Sequence, residues 1–427
     1  MNATSPTAPP SPPGSSYDYD ITVVGTGLIG LAAALGLAQQ GWRVGLIGPA
    51  VNVGLNHTDT DWDNRVYAFS PATQQLLTTL RVWQQLPIGP DDAQARIQAV
   101  REMRVYGQSA EALSVDPGLL SDSVTFSAYA ACVSELAWIA ESRVVQQALA
   151  TACRFQPQLH WHTSQATDYH ETPAGLRLQL ANQEVLHSQI LLGADGAYSW
   201  VRQHAGIDLE EQDYPQTAIV ANFACSQKHA DTAWQWFRPD GILALLPLPG
   251  QRVSMVWSTT PSQAETLLKL DATTLADQLT AASAQTLGTL TPLTPAAGFP
   301  LKRQLARTMV TQRIGLLGDA AHVVHPLAGQ GMNLGMGDVR ELLDVFAHRE
   351  SYRTLSDGRL LARYARRRAA PIQAMRAVTH GLYQLFAHPN PTLQAARRQF
   401  MHAINHTPLQ SFVTPIKRKL IQHALYS

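Results

Sequence analysis

The stretch Asp20-Ile-Thr-Val-Val-Gly25-Thr-Gly27-Leu-Ile-Gly30, continued by Leu31–Gln40, Gly41 and Arg43–Ile47, decides the fold. Ile21–Val24 has the length and β-branched content of a buried parallel strand, Leu31–Gln40 reads as a helix that Gly41 ends, and Arg43–Ile47 reads as a second strand. Together they make a βαβ unit of about 30 residues, the context that turns a glycine pattern into a dinucleotide site. The three glycines divide the work: Gly25 reverses the chain tightly, Gly27 lets backbone approach a pyrophosphate, and Gly30 allows close helix–strand packing. The helix N-terminus then faces the anion. One element is missing. The second strand ends Ile47-Gly48-Pro49, without the acid that usually binds a ribose hydroxyl there. Either another group makes that contact or adenosine is held loosely, and on this reading Gly48→Glu tightens the dinucleotide.

A second constellation lies some 300 residues downstream: Arg313-Ile-Gly-Leu-Leu-Gly318-Asp319-Ala-Ala-His322-Val-Val-His325-Pro326-Leu-Ala-Gly329-Gln330-Gly331-Met332-Asn333-Leu-Gly335. A strand delivers Asp319 to its C-terminal end, and a glycine-rich loop presents backbone N–H groups at a helix start. A carboxylate suits ribityl hydroxyls, and a positive helix end suits the anionic N1–O2 edge of a reduced flavin. The dinucleotide read from the first motif is therefore expected to be FAD.

Composition narrows the remaining classes. The 427 residues suffice for two or three structural units with a large core. A formal net charge of zero provides no footprint for nucleic acid. Cys132, Cys153 and Cys225 form no CxxC pair, which argues against a disulfide framework, a zinc ribbon or an iron–sulfur site and for a reduced, cytoplasmic protein. His322 and His325 stand three apart, but Pro326 biases the chain out of the helix that would make them ligands, so no metal site is expected. The absence of a GxSxG elbow argues against a serine hydrolase. The Pro/Ser/Thr-rich start reads as a disordered tail, and no apolar run approaches the roughly 20 residues that span a bilayer.

Strands are expected at Met103–Gly107 and Val124–Ala130, and a helix at Glu141–Thr151. An antiparallel meander is expected over Leu159–Leu192, and further strands at Ala218–Cys225, Thr232–Phe237, Ile242–Pro247 and Val253–Ser258. Trp234 and Trp236 share one strand face, as core or as the wall of an aromatic pocket. Leu267–Ala282 reads as one helix, and from Asp338 the chain reads as helices broken at Pro371 and Pro389–Pro391. The fold class is α/β: a Rossmann-like FAD-binding domain, an antiparallel-sheet substrate domain and a helical C-terminal region. The expected division is a tail over 1–17, an FAD-binding domain over 18–80, 134–215 and 300–340, a substrate domain over 81–133 and 216–299, and C-terminal helices over 341–427.

Three segments resemble the motifs of the group A flavoprotein monooxygenases, the para-hydroxybenzoate hydroxylase superfamily: Gly25–Gly30, Gly193-Ala-Asp195-Gly196-Ala-x-Ser-x-Val-Arg202, and Gly318-Asp319. Within that group, Asp63-x-Arg65-Val-x-Ala-x-Ser70-Pro71, Glu141-x-Arg143 and His325–Gly335 resemble the ubiquinone-biosynthesis flavin hydroxylases, with similar spacing from Asp20 to about Pro371. The resemblance implies that Arg65 and Arg143 contact FAD, that Asp319 binds the ribityl chain, and that Gly329, Gln330, Gly331, Met332 and Asn333 lie along the isoalloxazine. Asp195 and Gly196 fall where the family serves both the FAD pyrophosphate and NAD(P)H, and His325 and Pro326 become candidates for contacts near the reacting carbon. It further implies that NAD(P)H reduces FAD, that molecular oxygen adds at flavin C4a, and that the hydroperoxide oxidises a ring carbon of a prenylated phenol. Other ubiquinone-biosynthesis proteins become candidate partners. Phe412–Tyr426 mixes Lys417, Arg418 and Lys419 with apolar residues, which suits either peripheral contact with the inner membrane or a packed terminal helix. The alternatives are a hydroxylase of a soluble aromatic, a flavin-dependent isoprenoid reductase, and a non-catalytic flavin-binding subunit.

Overall fold

A computed structural model describes residues 17–52, 62–88, 95–107, 123–172, 175–324 and 330–387. In chain order the first strands are β1 (Tyr19–Val24), β2 (Val44–Ile47), β3 (Val66–Phe69), β4 (Ile97–Val100), β5 (Glu102–Tyr106), β6 (Ser123–Ser127) and β7 (Ala137–Glu141). Then come β8 (Leu159–His162), β9 (Ala166–Thr172), β10 (Gly175–Leu180), β11 (Val185–Gly193), β12 (Leu209–Cys225) and β13 (Thr232–Arg238). The last are β14 (Gly241–Leu248), β15 (Arg252–Thr259), β16 (Leu290–Pro292), β17 (Ala297–Ala306), β18 (Ile314–Leu316) and β19 (His322–Val323). The helices are α1 (Leu28–Gln39), α2 (Pro71–Thr79), α3 (Ala128–Ala131), α4 (Ser142–Arg154) and α5 (Trp200–His204), followed by α6 (Pro261–Leu268), α7 (Ala272–Ala282), α8 (Gln330–Ala347) and α9 (Arg359–Ala387).

The strands form three sheets. Seven make the first, in the order β8-β2-β1-β11-β10-β9, with β18 also beside β11. Within its parallel part, β8, β2, β1, β11 and β18, the inner strands carry apolar runs because helices cover them, whereas the edge strand β8 is Leu-His-Trp-His and partly exposed; β9 and β10 add an antiparallel flank. The second sheet has nine strands, ordered β19-β17-β12-β15-β14-β13-β5-β6 with β16 beside β12, and only the β13–β5 pair is parallel. A third, of order β3-β7-β4, sits at the join. The Rossmann-like unit and the antiparallel sheet expected from the sequence are both present.

Helix α1 is apolar on nearly all sides because it is enclosed: ten of its twelve residues are buried. Gly36 lets Leu343 of α8 approach, since a Cβ there would stand 2.5 Å from the leucine Cδ1. The second core lies on one face of the large sheet and is closed by α6 and α7. Trp234 and Trp236 are both buried in it, which settles their shared face as core.

Several expectations are corrected. Tyr17, assigned to the tail, is anchored: its carbonyl accepts from Arg43 Nη1 at 3.1 Å. The meander begins at β9, because β8 instead extends the parallel sheet beside β2. The helix expected over Leu267–Ala282 is two, since the Asp271 carboxylate accepts from the amides of Thr273 and Thr274 and starts α7 afresh. Helix α8 begins at Gln330, not Asp338. Helix α9 runs through Pro371 without breaking, held just before it where Arg368 bonds the Leu334 carbonyl at 2.9 Å. Residues 215 and 216, placed on either side of a boundary, lie within β12 at a register shift between Asp213 and Thr217. Pro389–Pro391 lie outside the described residues.

Leu35→Ala empties a fully buried position of α1 and is expected to cost about 2–5 kcal/mol, measured as a lower urea midpoint at unchanged slope. A loss below about 1 kcal/mol would contradict the placement of α1 in the core.

Candidate active site

Four strand ends meet at one edge. Val24 pairs with Ile47 and with Gly193, and Gly193 pairs with Leu316. The chain therefore leaves β1 at Gly25, β2 at Gly48, β11 at Ala194-Asp195 and β18 at Leu317-Gly318-Asp319, side by side along the crevice where open parallel sheets bind ligands. Two glycines of the first turn are sterically required. A Cβ on Gly25, at φ +117°, would stand 2.2 Å from the Ala194 carbonyl oxygen, and one on Gly30 would stand 2.0 Å from that of Gly25. At Gly27 no protein atom comes within 4 Å of the added Cβ, and this N-cap residue supplies no side-chain bond to α1. The turn is thus tight where it touches protein and open where an anion meets the helix end, a fit to a pyrophosphate.

Asp319 follows Gly318 in a single 3-10 turn. Its side chain can be reached by solvent, yet the crevice walls are dense enough that burial raises its carboxyl above the usual range. His322 and Arg65 pull it back, and Asp338 adds to the rise. Tyr67, in β3, senses the same neighbours: burial raises its phenol, and Arg65 and Asp319 act on it in opposite senses. Asp319, Arg65 and Tyr67 are therefore close enough to act on one another electrostatically.

The turn before Asp319 is held from beneath. Asp338 of α8, fully buried, accepts from the Gly318 amide at 2.9 Å, from His322 Nε2 at 2.7 Å and from Arg368 Nε at 2.7 Å. Burial alone would raise its carboxyl, but His322, Arg368 and the Gly318 N–H outweigh that and lower it. His322 is thus a buried partner of a carboxylate. Among the described residues, no group of three or more His, Cys, Asp or Glu is placed to hold a metal ion.

At the start of α8, Gln330, Gly331 and Met332 stand in the first turn, and the side chain of Asn333 turns inward. Its Oδ1 accepts from the Ser70 amide at 2.9 Å and the Thr73 hydroxyl at 2.8 Å, while its Nδ2 donates to the Ala68 carbonyl at 2.8 Å. This amide locks α8 to β3 and α2. The Asp195 carboxylate is likewise engaged within its own loop, accepting from Ser199 Oγ and from the Val201 amide at 3.0 Å. Gly196, at φ +82°, leaves open backbone beside it. Arg202, read only as part of a motif, bridges the loop to the Asp319 segment by donating to the carbonyls of Ala197 and Ala320.

The backbone of Arg65 and the side chain of Arg143 are linked through Asp63 and Glu141, which the sequence shows only as members of the two motifs. Arg143 Nε donates to Glu141 Oε2 at 3.1 Å, and the Asp63 amide donates to the same oxygen at 2.7 Å. The Arg65 amide in turn donates to Asp63 Oδ1 at 2.9 Å. One turn along α4 from Arg143, Gln146 Nε2 donates to the carbonyl of Thr26 inside the glycine turn at 2.8 Å, which ties the start of α4 to that turn. Only tertiary contacts mark Gln146, Tyr67 and Asp338, and only they show what Glu141 does. His325, Pro326 and Gly329 lie outside the described residues.

Gly48 has a different meaning from the one expected. Its φ is +149°, and a Cβ there would stand 2.8 Å from Thr26 Cγ2 and 3.0 Å from Thr26 Oγ1. Backbone strain and Thr26, whose hydroxyl donates to the Pro49 carbonyl at 3.0 Å, account for the glycine.

With the site in view, comparison with known proteins identifies the lineage. A family model described as an FAD binding domain matches residues 18–379. The chain belongs to this FAD-binding family. It is 33% identical over 412 residues to the 3-demethoxyubiquinol 3-hydroxylase of Escherichia coli K12, covering 95% of this chain and 98% of that protein. It is 31% identical over 413 residues to the ubiquinone hydroxylase UbiL of Rhodospirillum rubrum, covering 95% and 89%. Among solved structures, the p-nitrophenol 4-monooxygenase PnpA of Pseudomonas putida DLL-E4 superposes with a TM-score of 0.74 at 15% identity, covering 96% of this chain and 98% of that one. This member of the FAD-binding family is an FAD-dependent enzyme of the flavoprotein monooxygenase group, and FAD is its cofactor, as the motifs led us to expect.

Gly48→Glu is expected to lower the thermal midpoint and weaken FAD, opposite to the expectation from sequence; tighter binding would show that Thr26 yields. Asp338→Asn is expected to cost about 3–5 kcal/mol at pH 7, because it strands buried Arg368. A carboxylate lowered in the folded state stabilises above its ordinary value of 3.8 and loses that contribution as pH falls through the folded value. The gap between the urea midpoints of the two proteins should therefore stay constant down to about pH 4 and close only as pH falls further; a gap that persists undiminished well below that point would assign the loss to packing.

Proposed function

We propose that the protein hydroxylates an aromatic ring carbon of a polyprenylated phenol in ubiquinone biosynthesis, consuming NAD(P)H and molecular oxygen. The observation that carries this reading is the 33% identity over 95% of the chain to a 3-demethoxyubiquinol 3-hydroxylase. When bound, FAD supplies the redox chemistry. The chain's own residues bind, orient and enclose it. On this reading Gly25, Gly27 and Gly30 place the N-terminus of α1 against the pyrophosphate, Arg65 and Arg143 supply positive charge beside it, and Asp319 accepts from ribityl hydroxyls. The backbone of Gln330, Gly331, Met332 and Asn333 directs the positive end of α8 at the flavin ring, with Gly329 just before it. Asp195 and Gly196 shape the loop beside the nicotinamide donor, and His325 and Pro326 are assigned to the reacting carbon.

The large sheet roofs this crevice. On its face away from α6 and α7, Val220, Val256, Ala244 and Gln235 are aligned across four neighbouring strands, and the first three are half-buried. A mostly apolar row with one amide suits an aromatic ring that carries a polar substituent, and helps to exclude water from the reacting centre. Among the described residues, no helix is long and apolar enough to cross a membrane. Delivery of a polyprenylated substrate is assigned to peripheral contact of a cytoplasmic protein with the inner membrane through 412–426, which lie outside the described residues. Other ubiquinone-biosynthesis proteins are candidate partners in that delivery.

The purified, FAD-loaded protein is expected to take up oxygen with NADPH and a prenylated phenol, and to place one atom of labelled oxygen in the product ring, detected by mass spectrometry. Turnover of soluble aromatics alone would support a same-fold hydroxylase instead, and NADPH oxidation without oxygen uptake would support a reductase. Ala244→Phe narrows the roof and is expected to lower kcat/KM for the phenol about tenfold or more with FAD binding unchanged; unchanged turnover would remove Ala244 from the ring pocket.

A further inference from the structure

Glu141 has an unusual place. It is the N-cap of α4, where an acidic side chain ordinarily bonds the first free amides of the helix, yet it makes no cap hydrogen bond. Its carboxylate is fully buried and faces three donors from three separate segments. Oε2 accepts from the Asp63 amide at 2.7 Å and from Arg143 Nε at 3.1 Å, and Oε1 accepts from Arg96 Nη1 at 3.1 Å. Arg96 is 2% exposed and its guanidinium lies 4.3 Å from the centre of the Trp62 ring. Burying a carboxylate without partners is costly, and Arg96 offsets that cost from below. The trio of Arg96, Arg143 and Glu141 keeps one net positive charge, so holding Arg143 does not cancel its attraction for an anionic cofactor.

The other end of this arrangement reaches the substrate sheet. Asn222 Nδ2, on β12, donates to the Asp63 carbonyl at 2.9 Å, and Asn64 Nδ2 donates to the Pro295 carbonyl at 2.7 Å. Arg65 leaves this turn with its amide on Asp63 and its carbonyl accepting from the Ser142 amide at 2.8 Å. Asp63, Asn64 and Arg65 are therefore clasped between Glu141 on one side and the roofing sheet on the other.

We infer that Glu141 is a positioning residue that holds Arg65 and Arg143 together at the cofactor and ties them to the sheet above the substrate. This rests on the reading of those arginines as FAD contacts. Because this carboxylate bonds Arg143 directly and the backbone of Arg65 through Asp63, losing Glu141 and losing Arg143 remove parts of the same interaction.

FAD dissociation from the full-length FAD-loaded protein, followed by flavin fluorescence on serial dilution, tests this with Arg143→Ala, Glu141→Gln and the double variant. Each single change is expected to weaken FAD about tenfold, with the double variant within about twofold of the worse single, as for residues in one network. A double variant that shows the product of the two single effects would overturn the inference and leave the cofactor reading of Arg143 intact. Wild-type FAD affinity in Arg143→Ala would overturn that reading, and the inference with it. If Glu141→Gln does not fold, Glu141→Asp, which keeps the charge but withdraws it from Arg143, takes its place in the same comparison. The same non-additivity is expected, and additivity overturns the inference.

Discussion

The flush alignment of four parallel strand ends governs this molecule. Val24, Ile47, Gly193 and Leu316 stand in one row of the sheet, so the loops that follow them emerge at a common edge. Tolerance there is slight: the Ala194 carbonyl fills the space a side chain on Gly25 would need. A shift of β11 or β18 by one residue would reverse which side chains face the helices and carry Asp195 or Asp319 away from the glycine turn. The cofactor crevice is thus a property of sheet register, and the surrounding side chains refine it.

Refinement comes from buried carboxylates with several donors each. Asp338 collects the Gly318 amide, His322 and Arg368 beneath the Asp319 turn, and Glu141 collects Asp63, Arg96 and Arg143 beside it. Each would be unfavourable if it lost a partner, and each restricts the backbone of residues proposed to meet the cofactor. Those residues can therefore remain partly exposed while the groups that fix them are dry.

What could be read in the sequence follows the range of the forces involved. The glycine turn, the strand before it and the four strands from Ala218 to Ser258 announce themselves locally, through β-branched runs and turn residues. Asp319 could be recognised because a strand and a glycine-rich loop flank it in the chain. Asp338 could not, and Glu141 could be read only as part of the Glu141-x-Arg143 pattern: the distant donors are 78 residues away at Asp63 and 30 away at Arg368, and no periodicity links them. Gly48 shows the same limit. The sequence shows only its departure from the usual acid, whereas its positive φ and its approach to Thr26, which make glycine a steric requirement of the strand end, appear only in the folded chain. The single helix expected over Leu267–Ala282 failed on local chemistry that was available, the capping carboxylate of Asp271.

The position of β18 also sets a schedule. Its three residues complete the parallel sheet against β11, yet they lie almost 300 positions after β1. Contacts of such separation form late, since the entropy of closing long loops must be met before they reward it. On the ribosome, the glycine turn and first helix are finished long before Asp319 and α8 exist. A nascent chain therefore carries half a cofactor site for most of its synthesis, with the flank of α1 that Leu343 will cover still exposed at Gly36. Saturation with FAD cannot protect that intermediate, and the burden of keeping it soluble falls on the cell's folding machinery.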